Sequence, residues 1–264
     1  MVHSPGRLSM KLQNLFVAAI ALMLGGCFAP GDIPDTAGAH LAGSIPHTDE
    51  GFVFSNIEWF IRTGPNPGGA GPNHWGTGKE SVEVVENKLH LRIAQVNGRW
   101  TSAEIMTPIP DGKRGAVITI TSPTHDLDPR LVIGMFAYRD DRNELDIEIS
   151  RFGSPVTLTN AQFAVHSPRG GVEKFPFTIT ATPDSPLTMH TLTWGPRVSP
   201  GVGLGIEPIS FATDGAGVRE NWDYSGSPVN LQRAWLHLNV WLYEGKAPAN
   251  GQPIDVEIGS IRFY

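Results

Sequence analysis

The chain has 264 residues, a single Cys, and 26 Asp and Glu against 20 Lys and Arg, for a formal net charge of −6. That length suits one large domain with a sizeable core, and an acidic chain with no basic run excludes a nucleic-acid partner. Its 30 Gly and 22 Pro, with no helical periodicity beyond the N-terminus, predict an all-β fold of many strands joined by turns.

Arg7 and Lys11 precede an unbroken apolar run, Leu15 to Leu24. The run is too short to cross a bilayer and suits the core of a signal peptide. It leads into Leu24-Gly25-Gly26-Cys27, which resembles the lipobox of bacterial lipoproteins. Residues 1–26 thus read as a lipoprotein signal peptide and Cys27, which has no second cysteine to pair with, as the lipidated residue. The resemblance implies export to the bacterial cell envelope and anchoring at the outer membrane or cell surface through acyl chains. Residues 27–47, rich in Pro, Gly and Ala, read as that anchor and a flexible tether. Residues 48–264 read as the globular domain, without internal repeats.

Strands are expected near Phe52–Phe54 and at Ile57–Ile61 (IEWFI). The Gly/Pro/Asn loop 63–78 follows, presenting Asn73 and Trp75. Trp75 fits either an aromatic plate for a sugar ring or a lid over the core. Residues 83–93 alternate around a turn at 86–88, with Leu89, Leu91 and Ile93 inward and His90 and Arg92 outward. Trp100–Met106 (WTSAEIM) alternates with Trp100, Ser102, Glu104 and Met106 on one face. Further strands are expected at 116–121 and at 131–138, the latter apolar on both faces.

Residues 144–150 (ELDIEIS) carry the sharpest pattern. Side chains in a strand alternate between faces, so Glu144, Asp146 and Glu148 share one face and Leu145, Ile147 and Ile149 the other. Crowded carboxylates push one another's pKa values apart. This is what glycoside hydrolysis needs from its acid pair, although a polar face in solvent has the same pattern. Asn160–His166 alternates next, placing Gln162, Ala164 and His166 together, and another strand spans His190–Trp194. In Trp235–Tyr243 (WLHLNVWLY), Leu236, Leu238, Val240 and Leu242 form a core face. Trp235, His237, Asn239, Trp241 and Tyr243 form the other, a mixture that fits the apolar faces and hydroxyl rims of sugars or a second packing layer. Residues 255–264 close the sheet.

Taken in this order, Glu144-Leu145-Asp146-Ile147-Glu148, with Gly71–Trp75, Trp100–Glu104, Ala161–Phe163, His190–Trp194 and Leu238–Trp241, resembles glycoside hydrolase family 16 from about Phe52 to Tyr264. The resemblance implies a concanavalin-like β-jelly-roll sandwich of two curved antiparallel sheets. It implies a retaining endo-acting hydrolase of β-linked glucan, with Glu144 as nucleophile, Glu148 as general acid/base and Asp146 tuning both. Asn73, Trp75, Trp100, Glu104, Gln162, Asn239 and Trp241 would line the substrate cleft. The strand lacks the extra residue that bulges it in laminarinases and agarases, which tilts the substrate towards a β-1,4-containing glucan. Met106, Ala164 and the Gly/Pro-broken stretch 199–211 depart from the family pattern. A non-catalytic sugar-binding lipoprotein and a transglycosylase are the alternatives. Nine scattered His without a metal-ligand spacing predict no catalytic metal and no required cofactor, with a structural calcium compatible. The partners expected are a polysaccharide and a membrane, and the chain is read as a monomer.

Overall fold

The computed structural model describes residues 45–64, 71–180, 187–195, 209–215 and 218–264, all within the compact unit Thr36–Tyr264. The expected signal peptide, Cys27, most of the tether and residues 199–208 lie outside the described residues.

The strands form two antiparallel sheets. Sheet I runs β1 (Phe52–Phe54), β2 (Ile57–Ile61), β6 (Ala103–Pro108), β15 (Trp235–Leu242), β8 (Leu131–Asp140), β9 (Asn143–Ser150), β10 (Ala161–Ser167), β11 (Gly171–Phe177). Sheet II runs β14 (Val218–Tyr224), β13 (Ile209–Gly215), β12 (Thr188–Thr193), β7 (Gly115–Ile120), β16 (Ile254–Phe263), β4 (Lys88–Val96), β3 (Val82–Val85). The short β5 (Arg99–Thr101) pairs with β4. The sandwich is a β-jelly roll, as the sequence leads one to expect.

The core lies between the sheets and is built from the alternating apolar faces. Leu145, Ile147 and Ile149 of β9 are fully buried, as are Leu236 and Val240 of β15 and Leu89 and Ile93 of β4. Across the layers, Phe163 of β10 stacks on Phe211 of β13 with centroids 5.2 Å apart. Burying one such side chain stabilises the fold by roughly 1.5–3 kcal/mol. On the outer face of sheet II, Arg92 and His90 meet Asp255 at 2.9 and 3.0 Å, so their outward placement holds.

The strand expected at 255–264 is β16, which starts at Ile254 and ends at Phe263 inside sheet II, between β7 and β4. Three features differ from the expectations. The alternation of Trp100–Met106 breaks at Ser102, which bridges to Trp75, so β5 and β6 belong to different sheets. Ordered pairing begins before residue 48, because His47 bridges to Arg62. Strands β11, β13 and β14 were not anticipated; each lies at or beside the end of a sheet, where one-sided burial leaves a weak alternation.

Candidate active site

Strand β9 lies between β8 and β10, and its pairing with both is free of register shifts from Glu144 to Ile149. The regular, unbulged form expected from the sequence is present. Three lateral rows therefore cross the outer face of sheet I. Glu144 stands between Tyr138 and His166, Asp146 between Phe136 and Ala164, and Glu148 between Gly134 and Gln162. The last row extends through Asn239 to Glu104.

Each carboxylate has a distinct setting. Gln162 Nε2 donates to Glu148 Oε2 at 2.6 Å. His166 reaches the other two, with Nδ1 3.8 Å from Glu144 and Nε2 3.4 Å from Asp146. Burial raises all three above the usual carboxylate range because it penalises the charged form. Glu144 is pushed up to about 8, with the charge of Glu148 adding to burial and a hydrogen bond with Asp146 opposing both. Asp146 is raised further by the charges of Glu144 and Glu148 and by that same hydrogen bond. The bond thus favours the proton on Asp146 and the charge on Glu144. For Glu148, the Gln162 hydrogen bond and the charge of Lys174 oppose burial. Protons in such a set belong to the group as a whole.

A fourth carboxylate lies further along the Glu148 row. Glu104 is fully buried and accepts from Arg62 Nη1 at 2.9 Å, His237 Nδ1 at 3.0 Å and Asn239 Nδ2 at 3.2 Å. Burial alone would raise its pKa, but the His237 hydrogen bond and the Arg62 charge prevail and hold it low. Arg62 in turn lies 4.3 Å over the Trp75 ring, and His237 stacks on Phe136 at 4.8 Å. A Cβ on Gly134 would come within 2.4 Å of Asn239 Oδ1, so only glycine fits between Asn239 and Glu148.

The structure therefore divides the expected substrate-lining residues. Gln162, Asn239 and Trp241 share the face of the three carboxylates, and Trp241 is partly exposed. Asn73 is buried, with Oδ1 accepting from Ser102 Oγ and Leu242 N and Nδ2 donating to Leu242 O. It pins its loop to the end of β15. Trp75 is only 8% exposed and backs Arg62, so of its two readings the packing one holds. Glu104 is a buried anchor with no surface to offer. Trp100 leaves the site altogether, because its strand pairs with β4 and its ring packs on the core.

Sequence reasoning passed over Arg62 and Lys174 and gave no role to His166 or His237. For His166 the signal was its alternation with Gln162. Arg62 had none, since its partner Glu104 is distant in the chain. The structure also gathers Glu144, Asp146 and His166 so that one ligand atom from each lies within 4.8 Å of the others, a grouping no sequence spacing revealed.

No protein-family model matches the sequence, and no curated protein does. Solved structures do. A prokaryotic β-1,3-1,4-glucanase (lichenase) from a mouse hindgut metagenome is 17% identical with a TM-score of 0.56, over 83% of this chain and 98% of that one. A family 16 protein of the Bacteroides ovatus mixed-linkage-glucan locus, solved with a G4G4G3G product, is 13% identical with a TM-score of 0.55, over 83% and 99%. An immunostimulatory antigen and pseudo β-1,3-glucanase of Mycobacterium tuberculosis is 16% identical with a TM-score of 0.54, over 83% and 97%. The chain has the fold of the glycoside hydrolase family 16 β-glucanases.

Proposed function

We propose that the chain is a retaining endo-acting glycoside hydrolase of β-linked glucan. The observation that carries this reading is the β9 face. Glu144 and Glu148 flank Asp146 there, and Asp146 and Gln162 supply each of them with a different hydrogen-bonding partner. Glu144, favoured over Asp146 as the anion by their hydrogen bond, attacks the anomeric carbon while Glu148 protonates the departing glycosidic oxygen. The glycosyl–Glu144 ester is then cleaved by water, from which Glu148 removes the proton. Asp146 positions Glu144 and shares the proton load. Trp241, partly exposed near the end of β15, offers an apolar plate to a sugar ring.

The unbulged β9 and the likeness to a lichenase support a β-1,4-containing glucan as substrate. A non-hydrolytic carbohydrate-binding role is the second reading, favoured by the same fold in a pseudo β-1,3-glucanase. Residues 1–47 support export and lipidation at Cys27.

The test offers the full-length protein mixed-linkage glucan, β-1,3-glucan, xyloglucan and agarose, and follows new reducing ends and the anomer first released. Cleavage with retention is expected, falling by at least about 10²–10⁴-fold in both Glu144→Gln and Glu148→Gln. Retention of a glucan on an affinity gel without cleavage would favour the binding role. Near wild-type rates in either variant would overturn the assignment of roles.

A further inference from the structure

The outer face of sheet I holds a histidine that the proposed hydrolysis does not use. His166 is the cross-strand partner of Glu144, with its Nε2 3.4 Å from Asp146 Oδ2. That oxygen is buried and has no hydrogen-bond partner, and Asp146 as a whole is only 7% exposed. A buried carboxylate oxygen without a donor is costly. Here it faces a ring nitrogen without bonding to it, and a Glu144 oxygen completes a set within 4.8 Å.

This spacing has a chemical reading. A tetrahedral Zn²⁺ with bonds of about 2.0–2.2 Å to His nitrogen and carboxylate oxygen sets its ligand atoms roughly 3.3–3.6 Å apart. The Asp146–His166 pair already matches that edge. Glu144, at 16% side-chain exposure, has to swing its carboxylate inwards from within 4.8 Å, a movement of up to about 1.5 Å. One nitrogen and two carboxylate oxygens form a ligand set that zinc accepts, with the fourth position left to water.

We infer that Glu144, Asp146 and His166 form a binding site for a single Zn²⁺-class divalent ion, and that its occupation blocks the face on which a glycan would lie. The neighbouring charges set its strength. Glu148 on β9 and Asp141 before it favour a cation, whereas Lys174 on β11 disfavours it. The binding stands on geometry alone. Only the accompanying loss of hydrolysis rests on the glucanase reading.

The experiment titrates ZnCl₂ into the metal-free full-length protein by calorimetry, beside His166→Phe, Asp146→Asn and His90→Gln. The last removes a His–carboxylate group on sheet II, where His90 meets Asp255 and Glu257. Thermal melts without metal establish that each variant is folded. One saturable site is expected in the wild type and in His90→Gln. Losing a supporting neighbour of a metal ligand already costs 10–100-fold, so losing a ligand should weaken binding by about 100-fold or more in the other two variants. Visible absorbance of a Co²⁺ replacement should report four-coordination and vanish in His166→Phe. Absence of saturable binding, or binding unchanged in His166→Phe, overturns the proposal. If zinc binds as expected and no glucan is cut with or without EDTA, the site stands and the glucanase reading falls.

Discussion

Glu104 carries a full charge at a position that water does not reach, and it survives there because Arg62, His237 and Asn239 surround it. Such a pair adds little net stability, because desolvation offsets the attraction, but removing one member leaves a naked buried charge. Arg62→Met should therefore destabilise the protein by about 3–5 kcal/mol in urea unfolding. Adding Glu104→Leu to it should restore much of that loss. A double variant that is weaker still would show the pair to be a net source of stability. The contrast between Glu104 and Glu144 also shows what a sequence can yield about a site. Period-2 alternation put Glu144, Asp146 and Glu148 on one face before any coordinates. Alternation states which face a side chain takes, not its depth. Glu104 and Asn73 lie on expected stretches, yet their polar atoms are spent on Arg62 and Leu242, partners far away in the chain.

Strand β12 shows how an element takes on pH dependence. It lies between β13 and β7, and its His190 is fully buried, with ring nitrogens 3.0 and 2.9 Å from the hydroxyls of Thr213 and Thr188. Burial disfavours the cation and pulls the pKa down to about 3, against an unfolded value near 6.5. Between these values the unfolded chain binds the extra proton. The contribution of His190 is therefore complete above about pH 6.5 and is lost as pH falls towards 3, by at most about 1.4 kcal/mol per pH unit. His190→Gln, which keeps a hydrogen-bonding side chain, should show a flatter fall in unfolding free energy between pH 6.5 and 4 than the wild type. Parallel slopes would mean that His190 titrates alike in both states. Legibility followed burial at this scale. β9 and β15 bury one face completely and were plain in the sequence. In β11 (GVEKFPF) most side chains are exposed, so no alternation was imposed on it.

The sandwich accounts for the site but not for where the molecule works, and that question turns on residues 1–47. A ten-residue apolar run (Leu15 to Leu24) spans roughly 15 Å as a helix, half of the ~30 Å hydrocarbon layer. The run therefore cannot hold the protein in a membrane as a spanning segment. Stable attachment through this segment would then come from acyl chains on Cys27, because one chain gives only marginal binding and several are needed to anchor. This makes Cys27 decisive. In cells fractionated after expression, the wild type should sediment with membranes and Cys27→Ser should shift to the soluble fraction. Cys27 lies outside the described residues, and the β9 face is built entirely from residues of the sandwich. Cys27→Ser should consequently cut glucan at the wild-type rate per molecule while leaving the membrane. Sedimentation unchanged in Cys27→Ser would assign the attachment to the sandwich itself, and a protein soluble in both forms would remove the anchor altogether.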